Sequence, residues 1–400
     1  MKWPVTKIGL HCTVTSSKRF YLSERTTEGV PFYCSKEIIQ KCRGEEVTEC
    51  DYMPEELYHD IASKFGVPQT NDLLVTTRGT IGVPYLYQTN DRFYFADGNL
   101  TWLKDFDDLL LPQYLYYWFM TNEGKKKIDA IAKGTAQKAV PIVGIKDIEV
   151  QLPPLATQRR IADILSAYDD LIENNQKQIK LLEEAAQRLY REWFVGLRFP
   201  GHETTPVVDG VPEGWERSRL DDIVVESGKG EKKENRKQYD VYLPIDCLPK
   251  HSLSYVDTAK IEEAESSLVG FVEGDILFGA MRPYFHKVVI ARRTGLTRST
   301  CFVLNARNEA MWAYVAMLLF SQDTVDYATQ NSVGTTMPYV RWKDMRQMSV
   351  SVPSIDIAKR FQVLIKPLMI KTMRLAEQMK SAQEARDRLL PKLMSGEVEV

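Results

Sequence analysis

The chain has 400 residues, 44% of them hydrophobic and 26% charged, with a formal net charge of −2. That length suggests two to three domains, and the balance is that of an ordinary globular protein with enough apolar side chains for a core of normal size. Near-neutral charge does not advertise nucleic-acid binding, although local patches rather than bulk charge make such a footprint. No apolar run approaches the roughly 18 residues of a membrane span. The opening MKWPVTKIG lacks the apolar segment of a secretion signal, so a cytoplasmic, non-membrane location is expected. None of the six cysteines forms a Cys-x-x-Cys pair, and Cys34, Cys42 and Cys50 are spaced too widely for an ordinary zinc knuckle. Reduced thiols and no metal site are expected.

In chain order, the first half opens with Trp3 and Lys7-Ile8, followed by Phe32-Tyr33. DLLVTT at 72–77 and FYFADGNLTWL at 93–103 read as short strands. PQYLYYWFMTNEGKKKIDAIAKG at 112–134 reads as a helix. GTAQKAVPIVGIKDIEVQLPPL then leads into positions 161, 165, 168, 172, 175, 179, 182, 186, 189 and 193, which alternate spacings of four and three. Nine of these ten are apolar, the exception being Asn175, which is the pattern of a helix with a partner. Its seam includes Ile161, Leu165, Ile172, Ile179, Leu182 and Leu189. Asn175 either fixes the register of that seam or faces solvent. FPGHETTPVVDGVPEGW at 199–215 is a linker rich in Gly, Pro and Thr.

The second half repeats the first. Trp215 with Arg219-Leu220 echoes Trp3 with Lys7-Ile8, Tyr242-Leu243 echoes Phe32-Tyr33, and GDILFGAMR at 274–282 echoes NDLLVTTRG at 71–79. DILFGA and HKVVIA read as strands and 309–330 as a helix. GTTMPYVRWKDMRQMSVSVP then matches the first copy at an offset of 200, and the seam recurs, eight of ten positions being apolar, with Phe361, Ile365, Leu368, Leu375, Met379 and Leu389 among them. Gly196 and Gly396 follow the last turns, where helices often stop. The plan is α+β: a globe at 1–154, a spacer helix at 155–198, the linker at 199–215, a second globe at 216–354 and a second helix at 355–400. Antiparallel pairing of the helices would give a pseudo-two-fold repeat, a form suited to two half-sites on duplex DNA.

With these motifs in hand, the chain resembles the specificity subunits of type I restriction-modification systems. The resemblance rests on GTAQKAVPIVGIKDIEVQLPPLATQRRIADIL, GTTMPYVRWKDMRQMSVSVP, GDILFGAMRPYFHKV and RLLPKLMSGEVEV, and covers essentially the whole chain. It implies two target recognition domains that each read half of a split site in double-stranded DNA. It also implies helices that dock modification (methyltransferase) subunits, two of them expected, and association with restriction (endonuclease and translocase) subunits. S-adenosylmethionine and ATP would then bind those partners, with no cofactor in this chain. The second copy departs from the signature with Pro353-Ser354-Ile355 and Ala358-Lys359-Arg360, and Arg386 interrupts its seam, so its helix is expected to pack less regularly.

Catalytic motifs are scarce. There is no Gly-x-x-x-x-Gly-Lys-[Ser/Thr] phosphate loop, no Gly-x-Ser-x-Gly and no metal-spaced His pair. Asp222 with Glu231-Lys232-Lys233 loosely imitates a nuclease set, which keeps a nuclease or methyltransferase with duplicated recognition domains as the alternative. No catalytic residue is assigned. Phosphates call for cations or backbone N–H donors, and base edges for Arg, Lys, Asn or Gln. The candidates are Lys18 and Arg19, with Lys229, Lys232 and Lys233 as counterparts. Arg78 and Arg282, after equivalent strands, are either DNA contacts or carboxylate-paired. Gly134, Thr135, Gln137 and Lys138 match Gly334, Thr335 and Thr336, where small residues let the backbone approach a phosphate.

Overall fold

A computed structural model describes residues 3–134 and 138–400. It divides into two compact units, Met1–Glu173 with Ala382–Val400, and Asn174–Ser381. The first unit contains an antiparallel four-stranded sheet in the order Thr13–Thr15, Leu100–Lys104, Leu73–Thr76, Pro84–Leu86. The second unit repeats it as Val224–Glu226, Cys301–Ala306, Ile276–Gly279, Val288–Ile290. Leu73–Thr76 and Ile276–Gly279 are buried along their whole length, which is why they read as continuous apolar runs rather than alternating ones. A smaller sheet accompanies each, with Asp51–Met53, Val30–Tyr33 and Tyr94–Phe95 in the first unit. In the second it holds Lys229–Glu231, Leu268–Phe271, Gly295–Arg298 and Val241–Tyr242. Each unit also pairs an early strand with the one just before a long helix, Val5–Lys7 with Glu149–Gln151 and Glu216–Arg219 with Ser349–Val352.

The helices expected over 112–134 and 309–330 are each broken near the middle. Pro112–Met120 ends at Thr121, whose Oγ1 accepts from Gly124 N (3.0 Å) to cap Asn122–Ile131. Trp312–Leu319 likewise gives way to Gln322–Gln330, capped by Ser321 Oγ accepting from Thr324 N at 3.3 Å. A hydroxyl that satisfies a first-turn N–H competes with a continuous helix and here turns the chain.

The long helices are Leu155–Tyr190, prolonged by a wider turn over Arg191–Val195, and Ile355–Ser395. In the first unit Ile161, Ala162 and Leu165 share a core with Leu390, Leu393 and Met394. In the second, Ala186, Tyr190, Trp193 and Phe194 share one with Phe361, Ile365 and Met369. Asp169 meets Arg386, Asn175 meets Gln378 and Tyr190 meets Phe361, so within each unit rising numbers meet falling ones and the helix segments are antiparallel. Each fully buried Leu or Ile here is worth about 1.5–3 kcal/mol.

The buried stripe departs from the expected lattice. Ile161, Leu165, Ile179, Phe361, Ile365, Leu375 and Met379 are buried, and Ile172 is half-buried. Leu182, Leu189, Leu368 and Leu389 are only half-buried, however, and Glu183, Tyr190, Met369 and Leu390 take the interior places. A 4–3 alternation averages 3.5 residues per turn against 3.6 for a straight helix, a drift of about 20° per heptad, so three heptads after Ile161 the stripe has passed from Leu182 to Glu183. The place taken by Met369 rather than Leu368, one heptad after Phe361, is not explained by this drift. Asn175 is buried and donates Nδ2 to Gln378 Oε1 at 3.3 Å, so it faces the partner helix rather than solvent.

The departures in the second copy are compensated locally. Gln158 is fully buried and fastens the first helix to the preceding chain, accepting from Leu111 N and donating to Leu109 O and Pro153 O, each at 2.8 Å. Ala358 has no such reach, but Gln362, one turn on, accepts from Ala313 N at 3.2 Å. Arg386 donates to Asp169 Oδ1 at 2.6 Å, and Tyr117 OH donates to the other oxygen of Asp169 at 2.7 Å. The cation in the seam is thus partnered, and irregular packing does not follow.

Glu183 is 5% exposed and accepts from Leu253 N at 3.0 Å and Ser252 Oγ at 3.1 Å, tying the 252–254 loop to the helix. Burial pushes its carboxyl up to about 7, and the hydrogen bonds pull less strongly the other way. A raised folded pKa means that ionisation opposes folding, so this contribution is intact in acid and is lost as pH rises through about 7. Glu183→Gln keeps an acceptor and carries no charge. It is expected to stabilise the protein by on the order of 2–3 kcal/mol at pH 8 and by little at pH 4, as read from urea unfolding at the two pH values. An equal effect at both would mean that the carboxyl does not titrate on folding.

Candidate nucleic-acid interface

In both units the end of the central strand supports a short exposed hairpin. Lys133 and Ala139 exchange two backbone hydrogen bonds at 2.9 Å, and Val333 and Tyr339 do the same at 2.9 and 3.0 Å. Each hairpin is fixed to its strand end, Val140 N donating to Thr77 O and Val340 N to Ala280 O, both at 3.0 Å. Gly134 and Gly334 turn the chain at φ 98° and 96°, a conformation that side chains with a Cβ rarely adopt. The glycine of the motif is therefore a turn requirement, met in both copies. Gly134, Lys138, Gly334, Thr335 and Thr336 are all exposed; Thr135 and Gln137 lie outside the described residues. Lys138 Nζ reaches Asp129 at 3.2 Å, an exposed pair that a phosphate could displace at little cost.

The two arginines are not structural equivalents. Arg78 bridges Ala139, whereas Met281 bridges Tyr339, so Arg78 corresponds to Met281, and Arg282 stands where the first copy has Gly79. Both Gly79 (φ 77°) and Arg282 (φ 49°) are left-handed. Arg78 is exposed and forms no ion pair among the described residues. Arg282 is half-buried, and its Nη2 donates to Thr336 O at 3.1 Å. Its side chain pins the hairpin to the turn.

Around Arg78 lies a shallow groove whose walls include Lys36, Gln40, Arg43 and Asn99. The helix Ser35–Cys42 presents the first two of these, and Ser35 Oγ bonds both Arg78 O (3.0 Å) and Asn99 O (3.1 Å). Lys36, Gln40 and Arg43 escaped sequence reasoning, although their spacing of four and three marks one helix face. Lys18 is exposed with its ammonium 5.0 Å above the Phe65 ring, and Arg19 pairs with Asp97 at 2.8 Å. In the second unit Lys229 and Lys232 are exposed, and Lys233 pairs with Glu265 at 2.9 Å. The nuclease-like carboxylates serve local turns. Asp222 accepts from Ser218 Oγ (2.6 Å) and Arg219 N (2.9 Å), and Glu231 accepts from Asn235 Nδ2 (3.1 Å). Those bonds, led by Ser218 and by Asn235, hold both carboxyls below their ordinary values. Among the described residues no group of three or more His, Cys, Asp and Glu is arranged to hold a metal ion, and no helix is long and apolar enough to cross a membrane.

Arg78→Ala is expected to leave thermal stability within about 0.5 kcal/mol and to cost about 1–3 kcal/mol of DNA affinity if it reads a base. Arg282→Ala removes the bond to Thr336 and keeps the left-handed strain, so it should lower the melting temperature as well. Paired melting and DNA titrations separate the two; a destabilised Arg78→Ala would show a structural role instead.

Residues 2–184 match the family described as type I restriction modification DNA specificity domain. The chain is 28% identical over 314 residues to the type I restriction enzyme MjaIX specificity subunit of Methanocaldococcus jannaschii, covering 73% of this chain and 70% of that one. It is 21% identical over 383 residues to the HindI specificity subunit of Haemophilus influenzae, covering 78% and 83%. The crystal structure of a type I restriction-modification S subunit from M. genitalium superposes with a TM-score of 0.62 at 16% identity, over 98% of this chain and 96% of that one. That likeness extends the shared fold across both halves.

Proposed function

From the premise that this chain belongs to the type I restriction-modification DNA specificity family, we propose that it reads a bipartite site in double-stranded DNA and carries no catalysis of its own. Each unit reads one half-site through its strand-end hairpin. The observation that carries this reading is the duplicated hairpin itself, with Gly134 and Gly334 at φ 98° and 96° on equivalent strand ends. Two copies of one backbone frame with different side chains are what two different half-sites require. In the first unit Lys18, Lys36, Arg78 and Lys138 would meet phosphates and base edges; in the second, Lys229, Lys232 and the exposed Gly334–Thr336 backbone would.

The reading places the chemistry on partners. Modification subunits, two of them, would bind S-adenosylmethionine and transfer the methyl group, and restriction subunits would use ATP and cut. The long helices offer them apolar docking surface: Leu171 on the first unit, and Leu181, Val363, Leu364 and Ile370 on the second, are all exposed. Exposed aliphatic residues on helix faces suit contact with other helices. A DNA-directed protein of this kind would work in the cytoplasm.

The test is an exchange. With residues 1–154 replaced by the same region of a relative and the chain assembled with its modification subunits, one half of the methylated sequence is expected to change and the other to stay. A change in both halves, mapped by methylation across a genome, would overturn the division of labour.

A further inference from the structure

The two hairpins share a backbone frame but carry opposite chemistry. At an offset of 200, Lys133 becomes Val333, Lys138 becomes Pro338, Ala139 becomes Tyr339 and Lys126 becomes Asp326. On the strand end, Arg78 corresponds to Met281. Four cations of the first copy are thus replaced by apolar or acidic side chains in the second. In their place the second unit exposes large apolar groups: Tyr284 is 48% exposed, Met337 57% and Tyr339 46%. All three belong to one edge, because Met281 bridges Tyr339 and Arg282 bonds Thr336 O, bringing the turn that holds Tyr284 against the hairpin tip. Tyr284 packs edge-on to Phe285 with centroids 4.8 Å apart, and Lys250 Nζ lies 4.5 Å above the Phe285 ring. The apolar edge is therefore rimmed by Arg282 and Lys250.

Exposed apolar groups gathered on one edge mark an interaction site. The occupant is argued by continuity: this edge runs directly into the Gly334–Thr336 backbone, occupies the place of the first unit's cationic hairpin, and is bordered by two cations suited to phosphates. Resting on the function proposed above, we propose that the second unit recognises its half-site by apolar contact of Tyr284, Met337 and Tyr339 with the bases, whereas the first unit relies on cations. Such contact has two forms with the same chemistry. Apolar side chains meet the methyl group of thymine in the major groove, or they wedge between base steps and unstack them.

The test uses the full chain assembled with its modification subunits. Tyr284→Ser, Met337→Ser and Tyr339→Ser alter exposed side chains, and unchanged melting temperatures check that they fold. Each affected variant should lose roughly tenfold in discrimination at one or two base pairs, only in the half-site that the exchange of residues 1–154 leaves unchanged. The dependence of affinity on salt should stay as in the wild type, since no phosphate contact is lost. Uracil in place of thymine should weaken the wild type and not the responsive variant if methyl groups are touched. Raised 2-aminopurine fluorescence in the wild-type complex, absent in that variant, would mark a wedge. Either signature supports the proposal, and silence in both overturns it. Half-site preferences that stay unchanged in all three variants overturn it alone, as does a loss confined to assembly with modification subunits, which would make the edge a protein-docking surface. A wild-type complex that methylates no defined bipartite sequence would overturn the parent reading and this one together.

Discussion

Each long helix has an apolar stripe that its own globular part cannot cover, and everything else in the molecule is arranged around covering it. In each unit the cover is a segment of the other long helix, running the opposite way. Because every unit combines chain from both halves of the sequence, the cores that hold the long helices draw on both halves. The strand-end hairpins inherit their positions from this, since the strand before each helix pairs with Val5–Lys7 in one unit and Glu216–Arg219 in the other and Tyr114 and Tyr314 in the adjoining short helices bond its backbone.

Polar groups placed in this apolar setting are all accounted for by specific partners. Asn175 meets Gln378, Arg386 meets Asp169, and Gln158 satisfies three backbone groups at once. Unpaired, each would cost the desolvation of a buried polar group, so the Asn175 and Arg386 contacts penalise any other register of the two helices, while Gln158 fixes its helix to the preceding chain. Glu183 differs in kind. Its carboxyl is held mainly by neutral donors, which favour the charged form less than burial disfavours it, so its charge rather than its hydrogen bonding is out of place.

Duplication conserves backbone more closely than side chains. The capped breaks at Thr121 and Ser321, the glycine turns at 134 and 334 and the paired hairpin ends recur at an offset of 200. These are requirements of hydrogen bonding and dihedral angle, and they admit few residues. The side chains the frame projects are free of such demands. One copy projects cations and the other aromatic and aliphatic groups, as expected of a scaffold that reads two different sequences.

The sequence by itself determined the repeat, the α+β plan, the central strands, the long helices and the recurring glycines at 134 and 334. All of these follow from periodicity or from residues with unique backbone preferences, and both kinds of signal are local. What it left undecided depends on three-dimensional neighbours. Whether Leu182 or Glu183 faces inward turns on the slip between a 3.5 and a 3.6 repeat, which accumulates only in a real helix. That Arg78 and Arg282 are one residue out of phase is already written in the 203 offset of NDLLVTTRG and GDILFGAMR, which sets Arg78 against Met281 and Gly79 against Arg282; the fold adds what each then does, Arg78 standing exposed and Arg282 bonding Thr336 O. That Gln362 does the work of Gln158, and that Arg386 belongs in the seam, required their partners to be placed. Spacing along a chain fixes which face a residue occupies; what waits opposite that face is decided by the fold.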